Sequence, residues 1–449
     1  MLNRRSFLAS AAAAAVSPAV QAQSTSKPNI LFILTDDQRW DMMSCAGHAW
    51  IQTPNMDRLA AEGARFVNAF VTTPLCSPSR GSFLTGQYVH KHGILDNSNR
   101  NEQSHTLKTW PQILQQHGYE TGYFGKWHMG NDDAARPGFD YWFSFKGQGR
   151  YNDPEMNRNG ERSVVKGYVT KVLTQEAIEF MSRKRPKPFA VCLCHKAIHG
   201  PFEPEEQYKT LYSDAKLEAP ASLADDLKDK PAMLAARTME KSNVRTDKIP
   251  AQTWLNMARC LATVDDGLGL ILEALRQSGQ LDNTFIVFTG DNGYFYGEHH
   301  MGDKRRAYEE GLRVPLLVRY PKMVKAGSKP AQMALNIDVA PTLLDVAGVA
   351  VPKDMHGKSL TPALKSTGAK GRDAFLSEYF EDPGFPSTQK WQSLRTEKWK
   401  YIHFPEMQGA DELYDLTADP HEMKNVFAKY PKDVARLRAR MERILKETA

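Results

Sequence analysis

The sequence predicts an α/β fold: one large domain built on a central, mostly parallel sheet flanked by helices, then a small C-terminal α+β domain with a short antiparallel sheet. Three observations carry this prediction. Ile30-Leu31-Phe32-Ile33-Leu34 and Thr284-Phe285-Ile286-Val287-Phe288 are unbroken apolar runs, the mark of strands buried on both faces. Helical apolar spacing alternates with strand-like intervals between them. From about Gly371 the texture changes to short strand-like pieces and one final charged helix.

In chain order, residues 1–22 read as an export signal. Arg4-Arg5-Ser6-Phe7-Leu8 matches the twin-arginine pattern, and the apolar run that follows is shorter than the ~20 residues a spanning helix needs. The small residues around Val20-Gln21-Ala22 place cleavage after Ala22. A periplasmic or secreted protein is expected, exported by the twin-arginine machinery and without a membrane span in its mature form. The large domain is expected over 23–370 and the C-terminal domain over 371–449. Helices are expected over 55–63, 109–117, 167–182 and 254–278, with a strand in Phe189-Ala190-Val191-Cys192-Leu193-Cys194. Residues 203–250 are polar and poorly patterned, a surface excursion; they and the loop 147–162 are placed as substrate-shaping segments. Residues 315–318 return to the core and 338–348 form a packed helix. The tail carries strand pieces at 391–395, 400–404 and 412–416 before a helix over 431–446.

Composition bounds the partners. A chain of 449 residues with 41% hydrophobic content buries a large core, and 24% charged with 10% aromatic residues excludes a disordered or collagen-like chain. The net charge of +6 falls to about +4 without Arg4 and Arg5, and the basic residues are dispersed, so no nucleic-acid partner is implied. A mild positive excess suits an anionic substrate. The five cysteines, Cys45, Cys76, Cys192, Cys194 and Cys260, cannot all pair in an oxidising compartment. Cys192 and Cys194 fall on one strand face and read as core packing.

Asp36-Asp37 and Asp291-Asn292 stand at matched positions, just beyond the two apolar runs. In open α/β sheets ligands gather beyond the carboxyl ends of the strands, so the two tips are expected to share a site. Taken singly, each is a helix cap or turn former; together they are hard oxygen donors suited to Ca²⁺ or Mg²⁺ rather than zinc. Cys76 precedes Ser77-Pro78-Ser79-Arg80 at a predicted helix start, a place that favours anions. A buried structural cysteine and a thiolate nucleophile are both compatible with that position. Lys126 and His128 are spaced to point the same way if they share a strand.

Cys76-Ser77-Pro78-Ser79-Arg80, with the short helix closing in Thr85-Gly86, resembles the hallmark of the type I sulfatases of the alkaline-phosphatase-like superfamily, closest to the bacterial carbohydrate sulfatases of the N-acetylglucosamine-6-sulfatase and arylsulfatase A-like kind. The likeness extends from Lys27 to about Asn425: Thr53-Pro54-Asn55-Met56-Asp57-Arg58, Gly125-Lys126-Trp127-His128, Ile198-His199-Gly200-Pro201, Tyr308-Glu309-Glu310-Gly311 and Leu413-Tyr414-Asp415-Leu416 all match family elements. The resemblance implies an alkaline-phosphatase-like fold, sulfuric ester hydrolysis, and oxidation of Cys76 to formylglycine (3-oxoalanine) by a formylglycine-generating enzyme. It also implies bound Ca²⁺, with Mg²⁺ the second choice, held by Asp36, Asp37, Asp291, Asn292 and the modified Cys76. Arg80 would stabilise the hydrated aldehyde, Lys126 and Lys304 would clamp the sulfate, His128 would act as base and His199 as acid. The aldehyde serves turnover: of the two hydroxyls on one hydrated carbon, one attacks sulfur and the other later expels sulfate by collapse to the carbonyl.

The implied substrate is a sulfated carbohydrate, of glycosaminoglycan or mucin type, with 6-sulfated N-acetylglucosamine as the specific guess by analogy. Alternatives are a phosphodiesterase or phosphonate monoester hydrolase on the same scaffold, and a non-catalytic sulfated-glycan-binding protein. Trp40, Trp110 and Trp127 are placed in the core. His90, His92, His299 and His300 receive no role; the family usually has Gly where His300 stands.

Overall fold

The first apolar run forms the strand Asn29–Thr35, buried along its whole length. In the computed structural model, which describes residues 27–449 except 99–100, 240–241, 245–246 and 249, this strand lies in a nine-stranded sheet. The export signal and its cleavage point lie outside the described residues. Asn29–Thr35 runs parallel to Phe189–Cys194 on one side and to Thr284–Gly290 on the other. Glu120–Lys126 and Tyr141–Phe145 continue the parallel set beyond Phe189–Cys194. On the opposite flank Leu316–Arg319 lies antiparallel to Thr284–Gly290, and the short strand Ala64–Arg65 pairs antiparallel with it at the edge.

The period-two geometry of a strand divides the core. Ile30, Phe32 and Leu34 face one layer, with Phe83 and Leu84 of the helix Cys76–Thr85, Trp110 and Leu114 of Trp110–Gln116, and Leu343 of Val339–Val346. Leu31 and Ile33 face the other, with Leu173 of Val169–Ser182 and Leu268 of Ala251–Gln277. Cys192 and Cys194 both lie in the first layer, as their spacing predicts, and all five cysteines are unpaired. Helices on both faces of a mainly parallel sheet make the architecture α/β, as expected.

Two departures concern segments read as irregular. Residues 147–162 are only partly loop: Glu155–Arg158 and Glu161–Val164 form a hairpin that extends the main sheet past Tyr141–Phe145. The C-terminal sheet has four antiparallel strands, Ala374–Tyr379, Trp391–Thr396, Trp399–His403 and Glu412–Asp415, where three were expected. Ala374–Tyr379 carries no alternation because all six of its residues are buried. The helix Pro431–Thr448 packs Val434, Leu437 and Met441 onto this sheet. Among the described residues no helix is long and apolar enough to cross a membrane.

Candidate active site

Register brings the two acidic tips together. Thr35 pairs with Gly290, so Asp36 and Asp291 leave adjacent strands at the same end, and the Asp291 amide donates to the Thr35 carbonyl at 2.9 Å. The Asp37 amide donates to Asp291 Oδ1 at 3.1 Å, and Asn292 Nδ2 to Asp37 Oδ1 at 2.7 Å. Lys126 ends its own strand at this rim. Cys76 enters as the first residue of the helix Cys76–Thr85, all ten of whose residues are buried. The donor atoms of Asp36, Asp37, Cys76 and Asp291 lie within 4.8 Å of one another.

Three cations are built into this carboxylate nest. Arg80, one turn along the helix from Cys76, donates through Nε to Asp291 Oδ2 at 2.9 Å, places Nη2 3.4 Å from Asp36 Oδ2, and donates through Nη1 to the Lys126 carbonyl at 2.6 Å. The Lys126 ammonium pairs with Asp36, and that of Lys304 pairs with Asp37 while lying 3.0 Å from Cys76 Sγ. Burial would raise the pKa of Asp36, but Lys126, His199, Arg80 and Lys304 hold it well below the usual carboxylate range. Burial and the Asp36 charge push Asp291 well above that range against the pull of Arg80. Burial also raises Asp37. For the Cys76 thiol, burial and Asp36 act upward, yet Lys126, Lys304 and a hydrogen bond with His199 bring it down to about 6. Such a pocket is made to hold an anion at position 76.

Asn292 Oδ1 is buried without a hydrogen-bond partner among the protein groups. An orphaned amide oxygen beside three carboxylates fits a hard divalent cation, with Asp36, Asp37, Asp291 and Asn292 as oxygen donors.

The two histidines come from turns. His199 Nδ1 lies 3.0 Å from the Gly200 carbonyl, which can only accept, so Nδ1 carries the proton and Nε2 faces the site, 3.9 Å from Asp37 Oδ2. The strand carrying Lys126 ends there, and His128 has φ 61°. Strand alternation is therefore not what brings Lys126 and His128 to one site; a turn does, fastened by Ser77 Oγ donating to the His128 carbonyl at 2.5 Å. Burial, then Lys126, keeps the His128 pKa well below its ordinary value, so its imidazole is neutral.

All ten sequence-identified site residues thus converge. The four histidines without a role are built into the framework. His92 Nδ1 accepts from the Ile94 amide at 3.1 Å, so Nε2 carries the proton and donates to the Ser82 hydroxyl at 3.0 Å beneath the Cys76 helix, and His90 contacts Glu378 and the Thr448 carbonyl, tying down the last helix. His299 and His300 both meet Asp225. Trp110 and Trp127 are buried as expected, whereas Trp40 is half-buried, with the Arg39 and Arg313 guanidiniums over its ring. Sequence reasoning missed Lys196 and Tyr151, which fasten the His199 turn: Lys196 Nζ donates to the Gly200 carbonyl at 2.8 Å and Tyr151 Oη to the His199 carbonyl at 2.6 Å. A lysine two residues after a strand, three residues before His199, was the available signal.

The sulfatase family profile matches residues 28–349. The chain belongs to the sulfatase family. A second profile, that of the N-sulphoglucosamine sulphohydrolase C-terminal region, matches residues 297–449 of the sulfatase. It is 36% identical to an N-acetylglucosamine-6-O-sulfatase of Bacteroides thetaiotaomicron, over 95% of this chain and 87% of the relative. A solved structure of a protein in complex with its substrate D-glucosamine-2-N,6-O-disulfate superposes with a TM-score of 0.86 at 36% identity, covering 94% of this chain and 98% of the other. The phosphonate monoester hydrolase of Agrobacterium radiobacter shares the fold, with a TM-score of 0.77 at 24% identity over 94% of this chain and 96% of the other.

Proposed function

We propose that this sulfatase removes sulfate from a sulfated, glucosamine-containing carbohydrate of glycosaminoglycan or mucin type, with 6-sulfated N-acetylglucosamine the leading substrate. The carrying observation is the nest itself: Asp36, Asp37, Asp291 and Cys76 within 4.8 Å, two lysine ammoniums among them, and an unpartnered Asn292 Oδ1. The reading includes Cys76 as formylglycine, installed by a formylglycine-generating enzyme, and Ca²⁺ held by the four oxygen donors. When present, these groups would supply a hydrated-aldehyde nucleophile and a divalent charge that polarises the sulfate ester.

The remaining work falls to the chain's own groups. Lys126 and Lys304 bind sulfate oxygens and offset the charge that develops on them. Asp291, oriented beside position 76 by Arg80 Nε, is suited as a carboxylate to accept the proton of the attacking hydroxyl. His199, when protonated on Nε2 as well as on Nδ1, presents the Nε2 proton to the departing sugar oxygen, and His128, kept neutral, takes the proton that frees position 76 for another cycle. Arg80 fixes the orientation of Asp291 and of the Lys126 carbonyl. The reading carries with it twin-arginine export to the periplasm or beyond, and a division into a catalytic domain over 23–370 and a cap over 371–449. The test joins two measurements on protein from its own host: the mass of the tryptic peptide containing Cys76, and hydrolysis of 6-sulfated N-acetylglucosamine against an aryl phosphodiester. An unmodified thiol throughout overturns the nucleophile; preference for the phosphodiester overturns the substrate class.

A further inference from the structure

The loop that delivers Lys304 is held in an unfavourable backbone conformation. Between Gly297 and Arg305, four non-glycine residues have positive φ: His299 at 50°, His300 at 61°, Asp303 at 80° and Arg305 at 82°. Each such residue is strained and persists only where its surroundings over-determine it. Those surroundings come from the polar excursion, through Asp225. Its Oδ2 accepts from His299 Nδ1 at 2.7 Å and lies 2.8 Å from the fully buried Lys230 ammonium, its Oδ1 accepts from the Leu227 amide at 2.9 Å, and its main-chain carbonyl accepts from His300 Nε2 at 2.7 Å.

The same excursion continues along the loop. Val244 bridges Met301, the Gly302 amide donates to the Asn243 carbonyl at 3.2 Å, and Asn243 Nδ2 donates to the Lys304 carbonyl at 3.4 Å. From the other side the His299 ring stacks on Tyr308 at 4.6 Å, and Lys230 Nζ donates to the Met423 carbonyl at 3.0 Å. A carboxylate can only accept, so His299 carries its proton on Nδ1, and Asp225 grips both strained histidines at once.

We propose that Asp225 is a positioning residue for sulfate capture: through His299 and His300 it holds the loop in the form that aims the Lys304 ammonium at position 76. The proposal rests on Lys304 being a sulfate clamp. Asp225 touches no reacting atom, so its loss acts by letting Lys304 wander, which weakens binding of sulfate in ground and transition state alike.

The experiment is a double-mutant cycle in calcium-containing buffer, with Asp225→Ala, Lys304→Ala and the double variant. Two quantities are read: KM and kcat for an aryl sulfate, and the dissociation constant of inorganic sulfate from the catalytically silent Cys76→Ala background. Asp225→Ala is expected to raise KM and the sulfate dissociation constant on the order of tenfold with a smaller change in kcat, and to add less than about twofold once Lys304 is already alanine. Should Asp225→Ala fail to fold, Asp225→Asn, which keeps the acceptor for His299 but loses the charge facing Lys230, carries the cycle with an effect of about threefold. Equal losses in the presence and absence of Lys304, or unchanged sulfate binding, overturn the proposal. Sulfate bound unchanged by Lys304→Ala alone would instead overturn the clamp on which it rests.

Discussion

Replacing Arg80 by alanine tests the electrostatic design of the site directly. Its side chain is 2% exposed and serves Asp291, Asp36 and the Lys126 carbonyl simultaneously. Deleting it leaves Asp36, Asp37 and Asp291 facing two ammoniums instead of three cations, with two buried carboxylates short of a partner. Removing one member of a buried ion pair costs about 3–5 kcal/mol, and Arg80 is common to two pairs, so the upper half of that range is expected for protein unfolded in a chelator. A divalent cation in the nest replaces part of the missing charge, so the gap to wild type is expected to narrow when calcium is added. Activity is expected to stay depressed on the order of 10²–10³-fold even with calcium, because charge alone does not restore the fork that orients Asp291 and the Lys126 carbonyl. Arg80→Lys keeps the charge but reaches one carboxylate at a time, and falls between. The assays are urea unfolding with and without calcium and aryl sulfate turnover. A chelated Arg80→Ala protein within about 1 kcal/mol of wild type, or a gap indifferent to calcium, would refute the reasoning.

Three further outcomes are expected. Cys76→Ser should still bind sulfate and calcium yet complete at most one turnover, since a sulfated serine has no second hydroxyl to expel sulfate; sustained turnover in a burst assay contradicts the diol argument. Gly81→Ala sets a Cβ 2.8 Å from His92 Cε1 in a fully packed layer, which should cost about 1–3 kcal/mol and be partly relieved by adding His92→Ala; additive losses in urea unfolding would show that His92 is not the obstacle. Burial pushes His92 and His195 down to about 3. Their folded values lie below the unfolded one, so the stability they carry is intact above about pH 6.5 and is lost as pH falls, by up to ~1.4 kcal/mol per unit each. His92→Gln should flatten that decline in unfolding free energy between about pH 6.5 and about pH 5; an unchanged slope removes His92 from the account.

Much of the centre was legible because its parts are local: an apolar run ending in acidic residues is a buried strand with a polar tip, and Cys76 to Gly86 is a helix with its own start and stop. Their meeting was legible too, since matched tips on parallel strands fall at one end of a sheet. What could not be read are features that exist only through distant partners. Asp225 sits in a stretch without periodicity, and nothing near it announces His299 some 70 residues on. Ala374–Tyr379 is buried on both faces and short, so it lacks any pattern that separates strand from helix. The turn at His128 needs a positive φ that a histidine does not advertise, and strand alternation was the wrong rule there.

The complete burial of the Cys76 helix also sets a timetable. On the proposed reading, a protein catalyst of thiol oxidation, far bulkier than a sulfate ester, would need position 76 before this helix is buried, so the choice between an active and an inert molecule would fall while the chain is still open. The opening strand finds its Thr284–Gly290 neighbour only after most of the polypeptide has been synthesised, and pairing across so long a separation is slow. The delay built into this topology would then be the interval in which position 76 is open to that modification. A variant that closed its core sooner would gain folding speed and release more molecules that can never turn over.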